Sequence, residues 1–471
     1  MRLGSMRRWP NGRPGISTTM LRTSQMRNVS ALDKRVSSTA EAKIASFDQR
    51  LPTKKQPPLA AMPNAALFRS LLFTTIMSTA LLKPAMLAMK LIASHNARFL
   101  SPAKNPIIKM LLRPTFYSQF AAGENEKEVG KTIQTIKNQG FTGVILGYAR
   151  EIVLETYGRT PQPVDSPTEA ELCDIELWKQ GTLRTLRMLS AGDFLAIKYT
   201  GAGRVAVDAC LSNLPLPPKP IEEALDEVCN EARQRGTRIW IDAEQTHLQP
   251  TLDKWVIDLM KRHNRDGNAL VYNTIQAYLK SARQNVVNHL KEAQGGDWKL
   301  GIKLVRGAYI ANEPREKIHD SKQETDANYN EIVEALMKKE FPIAGNHGAF
   351  PDMQLFVASH NATTIQKAYS LHSQRIKEKQ PTIYVEYGQL MGMADDLSCE
   401  LLRLRSDDLS SSDEKTRRSA PKAFKCLSWG STTELVQNLY RRAVENTDAI
   451  ERTQNMAKAL RGEVLRRIGL K

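Results

Sequence analysis

Hydrophobic positions fall into two alternating rhythms along most of this chain. From about residue 140, short apolar, β-branched or aromatic runs occur at FTGVILGY (141–148), DFLAIKYT (193–200), RIWIDAEQ (238–245) and ALVYNTIQ (269–276). They continue at GIKLVRGAY (301–309), LFVASHN (355–361), TIYVEYGQ (382–389) and AFKCLSW (423–429). The stretches between them space apolar residues three and four apart, as in 221–235, 251–263, 278–293 and 324–340. A last helix is predicted over 432–451, with Thr432 and Thr433 as N-caps. Strands alternating with helices imply parallel pairing and right-handed crossovers. Eight such units in about 310 residues predict an α/β fold of the closed (βα)8 type. A doubly wound open sheet is the competitor, but no GxGxxG follows any strand. Pro-rich 158–171 and 212–220 read as loops, and the polar, charged 405–421 as a surface insertion.

Ahead of the alternation the pattern changes. Residues 71–82 form an uncharged apolar run that Lys83-Pro84 stop short of the roughly 20 residues a membrane span needs. Two helices, packed on the body or lying in an interface, fit better. Charge then separates the N-terminus from the rest. The chain of 471 residues carries +17, and residues 1–55 hold twelve basic side chains against three acidic ones. Nothing acidic precedes Asp33, and the segment is rich in Arg, Ser, Thr and Met, as a mitochondrial presequence is. A basic RNA-binding arm is the plainer alternative. Five scattered cysteines without a CxxC pair predict neither a disulfide framework nor a zinc site, and no metal is expected.

In a barrel of this class, chemistry sits at the C-terminal ends of the strands. Charged and polar residues interrupt the apolar runs there: Lys198, Asp242, Gln276, Lys303 and Arg306, then Ser359, His360 and Asn361, and Glu386 and Gln389, with Leu390 ending the seventh run. Period two places Lys198 on one face with Phe194 and Ala196, and Asp242 with Trp240. Lys303 and Arg306 fall on opposite faces of a regular strand, so both reach the interior only if the strand breaks at Gly307. Any one of these is an ordinary rim residue. Together they mark a site, because burying unpaired charge costs several kcal/mol. In the last predicted helix, Arg441 and Arg442 lie within helical reach of Glu445, as a solvated ion-pair face or as a clamp for a carboxylate.

The motifs IDAEQT (241–246), TIQAYLKSA (274–282), KLVRGAY (303–309), ASHNATT (358–364), EYGQLMGMADDLS (386–398) and LYRRAVEN (439–446) resemble, in order, those of mitochondrial proline dehydrogenase, also called proline oxidase, of the fungal type. The resemblance covers roughly residues 115–455 and implies a distorted, TIM-like (βα)8 barrel holding noncovalent FAD at the strand C-termini. It implies oxidation of L-proline to Δ1-pyrroline-5-carboxylate, the first step of proline catabolism to glutamate, with electrons passed to a membrane quinone. By position, Lys198, Arg441 and Arg442 match residues that hold the proline carboxylate, and Glu445 the partner of the arginine pair. Asp242 matches an acid that organises the charges. Gln276, Arg306, Ala308, Ser359, His360 and Asn361 match flavin contacts, and Leu390 and Tyr309 apolar walls. Two positions depart: Lys303 stands where bacterial members have Arg, and Cys426 where a Tyr usually lies against the substrate. Asp242 and Lys303 are assigned to catalysis, and a cation beside the flavin, Lys303 or Arg306, would stabilise the reduced anion.

This implies a presequence at 1–45, a helical arm at 46–115, the barrel at 116–455 and a tail at 456–471. The expected place is the matrix side of the mitochondrial inner membrane, with peripheral membrane contact. No nucleic-acid partner is expected, because charge beyond residue 55 is mixed. The rival readings are a Schiff-base (βα)8 aldolase using Lys198 or Lys303, and a basic mitochondrial nucleic-acid-binding protein.

Overall fold

The computed structural model describes residues 57–79, 82–93, 105–148, 160–310, 312–342, 349–432, 434–436 and 450–470. The predicted presequence, most of the predicted 432–451 helix, and Arg441, Arg442 and Glu445 lie outside them.

Eight strands close in chain order into a parallel barrel, the first also pairing with the last. They are β1 (Gly143–Tyr148), β2 (Phe194–Ile197), β3 (Arg238–Ile241), β4 (Val271–Gln276), β5 (Leu300–Val305), β6 (Met353–Ala358), β7 (Tyr384–Leu390) and β8 (Ala423–Trp429). Each falls within or against one of the eight predicted runs. Alternate residues serve two cores. Leu195 and Ile197 face out and pack with the surrounding helices. Phe194, with Trp240, Tyr272, Phe356 and Phe424, fills the barrel. Phe194 stacks on Trp240 at 5.5 Å between centroids and meets Tyr272 and Phe356 edge-on at 5.3 Å. The interior is therefore plugged across its middle, and any ligand must enter above the plug.

Below it, the Arg238 guanidinium makes two parallel hydrogen bonds to Glu386, 2.6 and 2.9 Å long. Glu386 is thus not at the C-terminal end, where the sequence reading put it. β7 begins at Tyr384, so Glu386 is its third residue and points to the floor of the barrel.

An arm precedes the barrel: helices α1 (Asn64–Met77), α2 (Leu82–Ala93) and α3 (Pro106–Leu112), followed by α4 (Glu126–Asn138) under β1. The apolar run breaks after Met77 rather than at Lys83-Pro84. Pro84 is the third residue of α2, where its missing N–H costs no helical hydrogen bond. Among the described residues no helix is long and apolar enough to cross a membrane. Around the barrel run α5 (Glu169–Arg187), α6 (Arg204–Leu211), α7 (Lys219–Arg235), α8 (Gln249–His263), α9 (Ala282–Ala293), α10 (Lys322–Lys338), α11 (Ala362–Lys377) and α12 (Asp395–Leu409). The local chemistry sets their limits: Thr168 and Glu171 form a capping box on α5, and Gly236 ends α7 in the left-handed conformation.

Two further segments form structure that the sequence pattern did not predict. The 405–421 insertion is built structure: it completes α12, then forms α13 (Glu414–Arg418), capped by Asp413, with Ser419 fully buried. The predicted tail is helical. α14 (Ile450–Arg467) buries Met456 and Leu460 against Leu59, Met62, Leu67 and Cys399. The polar face of α14 hides this stripe in the sequence.

Candidate active site

β2 and β3 end one residue before Lys198 and Asp242, so both side chains continue the inward-facing series onto the rim of the plug. Lys303 comes in from β5, 6% exposed, with its Nζ 2.6 Å from Asp242 Oδ1 and 3.9 Å from the centroid of Trp240. A lysine this buried requires its carboxylate. The Lys198 ammonium lies 3.4 Å from the Tyr309 hydroxyl. These residues surround a cavity of about 310 Å³ over the strand C-termini, floored by Trp240 and Phe356. That is enough for a small ring substrate and part of a larger planar group.

β5 stops at Val305, and Gly307 turns the chain with φ +151°. A β-carbon there would come 2.4 Å from the Tyr278 ring. The break at Gly307 brings both Lys303 and Arg306 to the cavity. Arg306 donates to Asp326 Oδ1 (2.6 Å), Ser359 Oγ (2.6 Å) and Thr364 Oγ1 (2.9 Å), with its guanidinium 4.6 Å from the Tyr329 centroid. Burial opposes the charge on Asp326, but hydrogen bonds from Lys322 and Arg306 prevail and hold its carboxyl below the usual range.

Gln276 closes β4, donating to the Glu244 carbonyl (3.1 Å) and accepting from the Ala308 N–H (3.4 Å). Complete burial raises the Glu244 carboxyl above its usual range, against Lys198 nearby and two hydrogen bonds from Thr200. His360 Nε2 accepts the Leu390 N–H at 3.0 Å, so this arrangement places the ring proton on Nδ1.

Of the predicted site residues within the described chain, Lys198, Asp242, Gln276, Lys303, Arg306, Ala308, Tyr309, Ser359, His360 and Leu390 line the cavity. Asn361 does not: its side chain caps α11, accepting from the Thr364 N–H, and donates to Asp326. The sequence reading missed Trp240 and Phe356 as the floor, although both share the inward face, and Thr274 on the wall. It also missed Asp326 and Thr364, which helices bring to Arg306. Cys426 forms part of the wall beside Leu390, its register partner.

The family model described as "Proline dehydrogenase" matches residues 129–455, more than half of the chain. "Probable proline dehydrogenase, mitochondrial" of Schizosaccharomyces pombe is 29% identical over 409 residues, 76% of this chain and 80% of that protein. Human "Proline dehydrogenase 1, mitochondrial" is 28% identical over 255 residues, 52% of this chain but 38% of that protein. Among solved structures, proline utilization A from Bdellovibrio bacteriovorus inactivated by N-propargylglycine superposes with TM-score 0.57 at 17% identity. That match covers 79% of this chain and 38% of the bacterial one, and at such identity it speaks to the fold alone.

Proposed function

This chain belongs to the proline dehydrogenase family, and we propose that it oxidises L-proline to Δ1-pyrroline-5-carboxylate with FAD in the cavity over the strand C-termini. The observation that carries this reading is the buried Lys303–Asp242 pair, set on Trp240 beside Lys198 at the open end of a plugged barrel.

The residues fit a flavin. Trp240 and Phe356 offer an apolar floor, Lys303 and Arg306 supply cations, and Gln276 and Ser359 supply polar groups on the same wall. The Trp240 Nε1–H is buried without a hydrogen-bond partner among the described residues, as suits a floor that takes a polar ligand. At Gly388 a β-carbon would meet the Phe356 ring at 2.6 Å, so the glycine keeps that wall thin. Bound here, the flavin would supply the acceptor for the two electrons that proline loses.

The protein's own part is binding and orientation. Lys198, with Arg441 and Arg442, would hold the substrate carboxylate, and Glu445 would fix the arginines. Leu390 and Tyr309 would wall the ring, and the aromatic plug closes the barrel below to water. Asp242 holds the Lys303 ammonium at a fixed point, so its charge needs no reorganisation during turnover. The same pairing disfavours an aldolase that uses Lys303, because a Schiff-base nucleophile has to be a neutral amine.

Electrons would pass to a quinone from a mitochondrial protein on the matrix face of the inner membrane. Supporting this, residues 49–123 contain ten Lys and Arg and no Asp or Glu. In α2 none of the residues whose side chains are described is buried, and Leu87 and Leu91 stand exposed beside Lys83 and Lys90. Such a helix suits an anionic lipid surface. Vesicles containing anionic phospholipid should co-sediment with the protein, and Leu87→Ser should weaken this at low salt. Equal binding to neutral vesicles would refute it.

The full chain, purified, should show a flavin spectrum that L-proline bleaches without oxygen and prolinol, lacking the carboxylate, bleaches far less. A colourless protein, or a yellow one indifferent to proline, overturns the reading; equal bleaching by prolinol removes the carboxylate clamp.

A further inference from the structure

The cavity wall at Leu390 and Cys426 is tied to an element far away in sequence. Beyond Leu390 the chain makes a tight turn before α12, with Gly392 at φ +74° and Ala394 at φ +49°. The left-handed region costs alanine roughly 1–2 kcal/mol. Such a conformation persists only where the surroundings impose it.

They impose it through a buried polar network. Asp395, the first residue of α12, accepts from Lys425 Nζ on one carboxylate oxygen and from Ser70 Oγ on the other, both at 2.8 Å. Lys425 also donates to the Met393 carbonyl at 3.3 Å. Ser70 lies on α1, is 1% exposed, and accepts in turn from Gln119 Nε2 at 2.8 Å. The same Gln119 amide donates to the Gly392 carbonyl at 3.3 Å, and the Phe73 ring of α1 meets Phe120 edge-on at 4.5 Å. Alternation along β8 turns Lys425 toward this network while its neighbour Cys426 faces the cavity. The Met391 N–H binds the Cys426 carbonyl at 2.9 Å, so turn and wall move as one.

We propose that α1 is a working part of the active site, with Ser70 as a positioning residue that sets the Leu390–Cys426 wall through Asp395, Lys425 and Gln119. Replacing Ser70 by alanine removes a donor from a buried carboxylate and an acceptor from a buried amide. The turn can then relax toward an unstrained backbone, and Leu390 shifts with it. The consequence belongs to substrate fit more than to the electron-transfer step.

This inference rests on the cavity being the proline site, so the test begins with wild-type full-length protein, whose failure to oxidise proline would refute that reading alone. In Ser70→Ala the KM for proline should rise about fivefold with kcat within about twofold and flavin content unchanged. Ser70→Thr, which keeps the hydroxyl, should restore KM, and Phe68→Ser on the exposed face of α1 should leave it unchanged. An unaltered KM in Ser70→Ala overturns the proposal. So does a parallel fall of kcat, flavin content and melting temperature that threonine does not rescue. Should Ser70→Ala not fold, Gln119→Met cuts the links to Ser70 and to Gly392 while leaving the Ser70–Asp395 bond, and must raise KM likewise, or the proposal falls.

Discussion

Two cations sit inside this barrel, each 3.9 Å from the centroid of an aromatic ring and each paired with a carboxylate. Arg238 lies against Phe194 beneath the plug, and Lys303 against Trp240 above it. They differ in how fully they are satisfied. Glu386 takes both parallel bonds of the Arg238 fork plus the Tyr384 hydroxyl, and the guanidinium also reaches the Gly192 carbonyl. Lys303 and Asp242 share one hydrogen bond, and the Asp242 side chain is 29% exposed to the cavity. The lower pair is saturated and closed; the upper retains unused hydrogen-bonding capacity toward a ligand. Charge and ring contact are alike, so neither of these distinguishes a structural ion pair from a functional one. Spare valence facing a cavity does.

That contrast can be broken by experiment. The largest effect is expected below the plug. Arg238→Met leaves a buried carboxylate unpaired and should cost about 3–5 kcal/mol in urea unfolding, while folded protein keeps its KM. A loss under 1 kcal/mol would show that the lower pair is not the lock described. Above the plug the expectation reverses. Asp242→Asn should lower kcat/KM about a hundredfold with a smaller change in unfolding free energy. Lys303→Arg, which keeps the charge but changes its shape, should lose less. If Asp242→Asn destabilises as much as Arg238→Met and spares activity, the two pairs are equivalent and the contrast fails.

Most of the barrel was legible because its strands are short, β-branched and regularly spaced, and tertiary packing agrees with that local pattern. Asp242 and Lys198 could be placed because each continues an alternation whose inward face is aromatic. Glu386 could not, because period two gives the face of a residue but not its height: that depends on where pairing begins, at Tyr384. Asn361 lay in a motif at a strand end, but an Asn one residue before a helix is claimed by the free N–H groups of its first turn. Ser70 left no signal, since its partner Asp395 is 325 residues away and both look like ordinary helix residues. α14 was hidden by its charges, which mask the Met456–Leu460 stripe.

The contact between the beginning and end of the described chain has a topological consequence. Arg467, near the end of α14, donates to the carbonyls of Leu59, Ala60 and Met62, in the turn that precedes α1. The fold is thus nearly a ring, and the break in it falls where the polypeptide already touches itself. A gene reopened at the exposed Ser412–Asp413 turn, with a short linker from Leu470 to Pro57, would encode every contact described above in a different order.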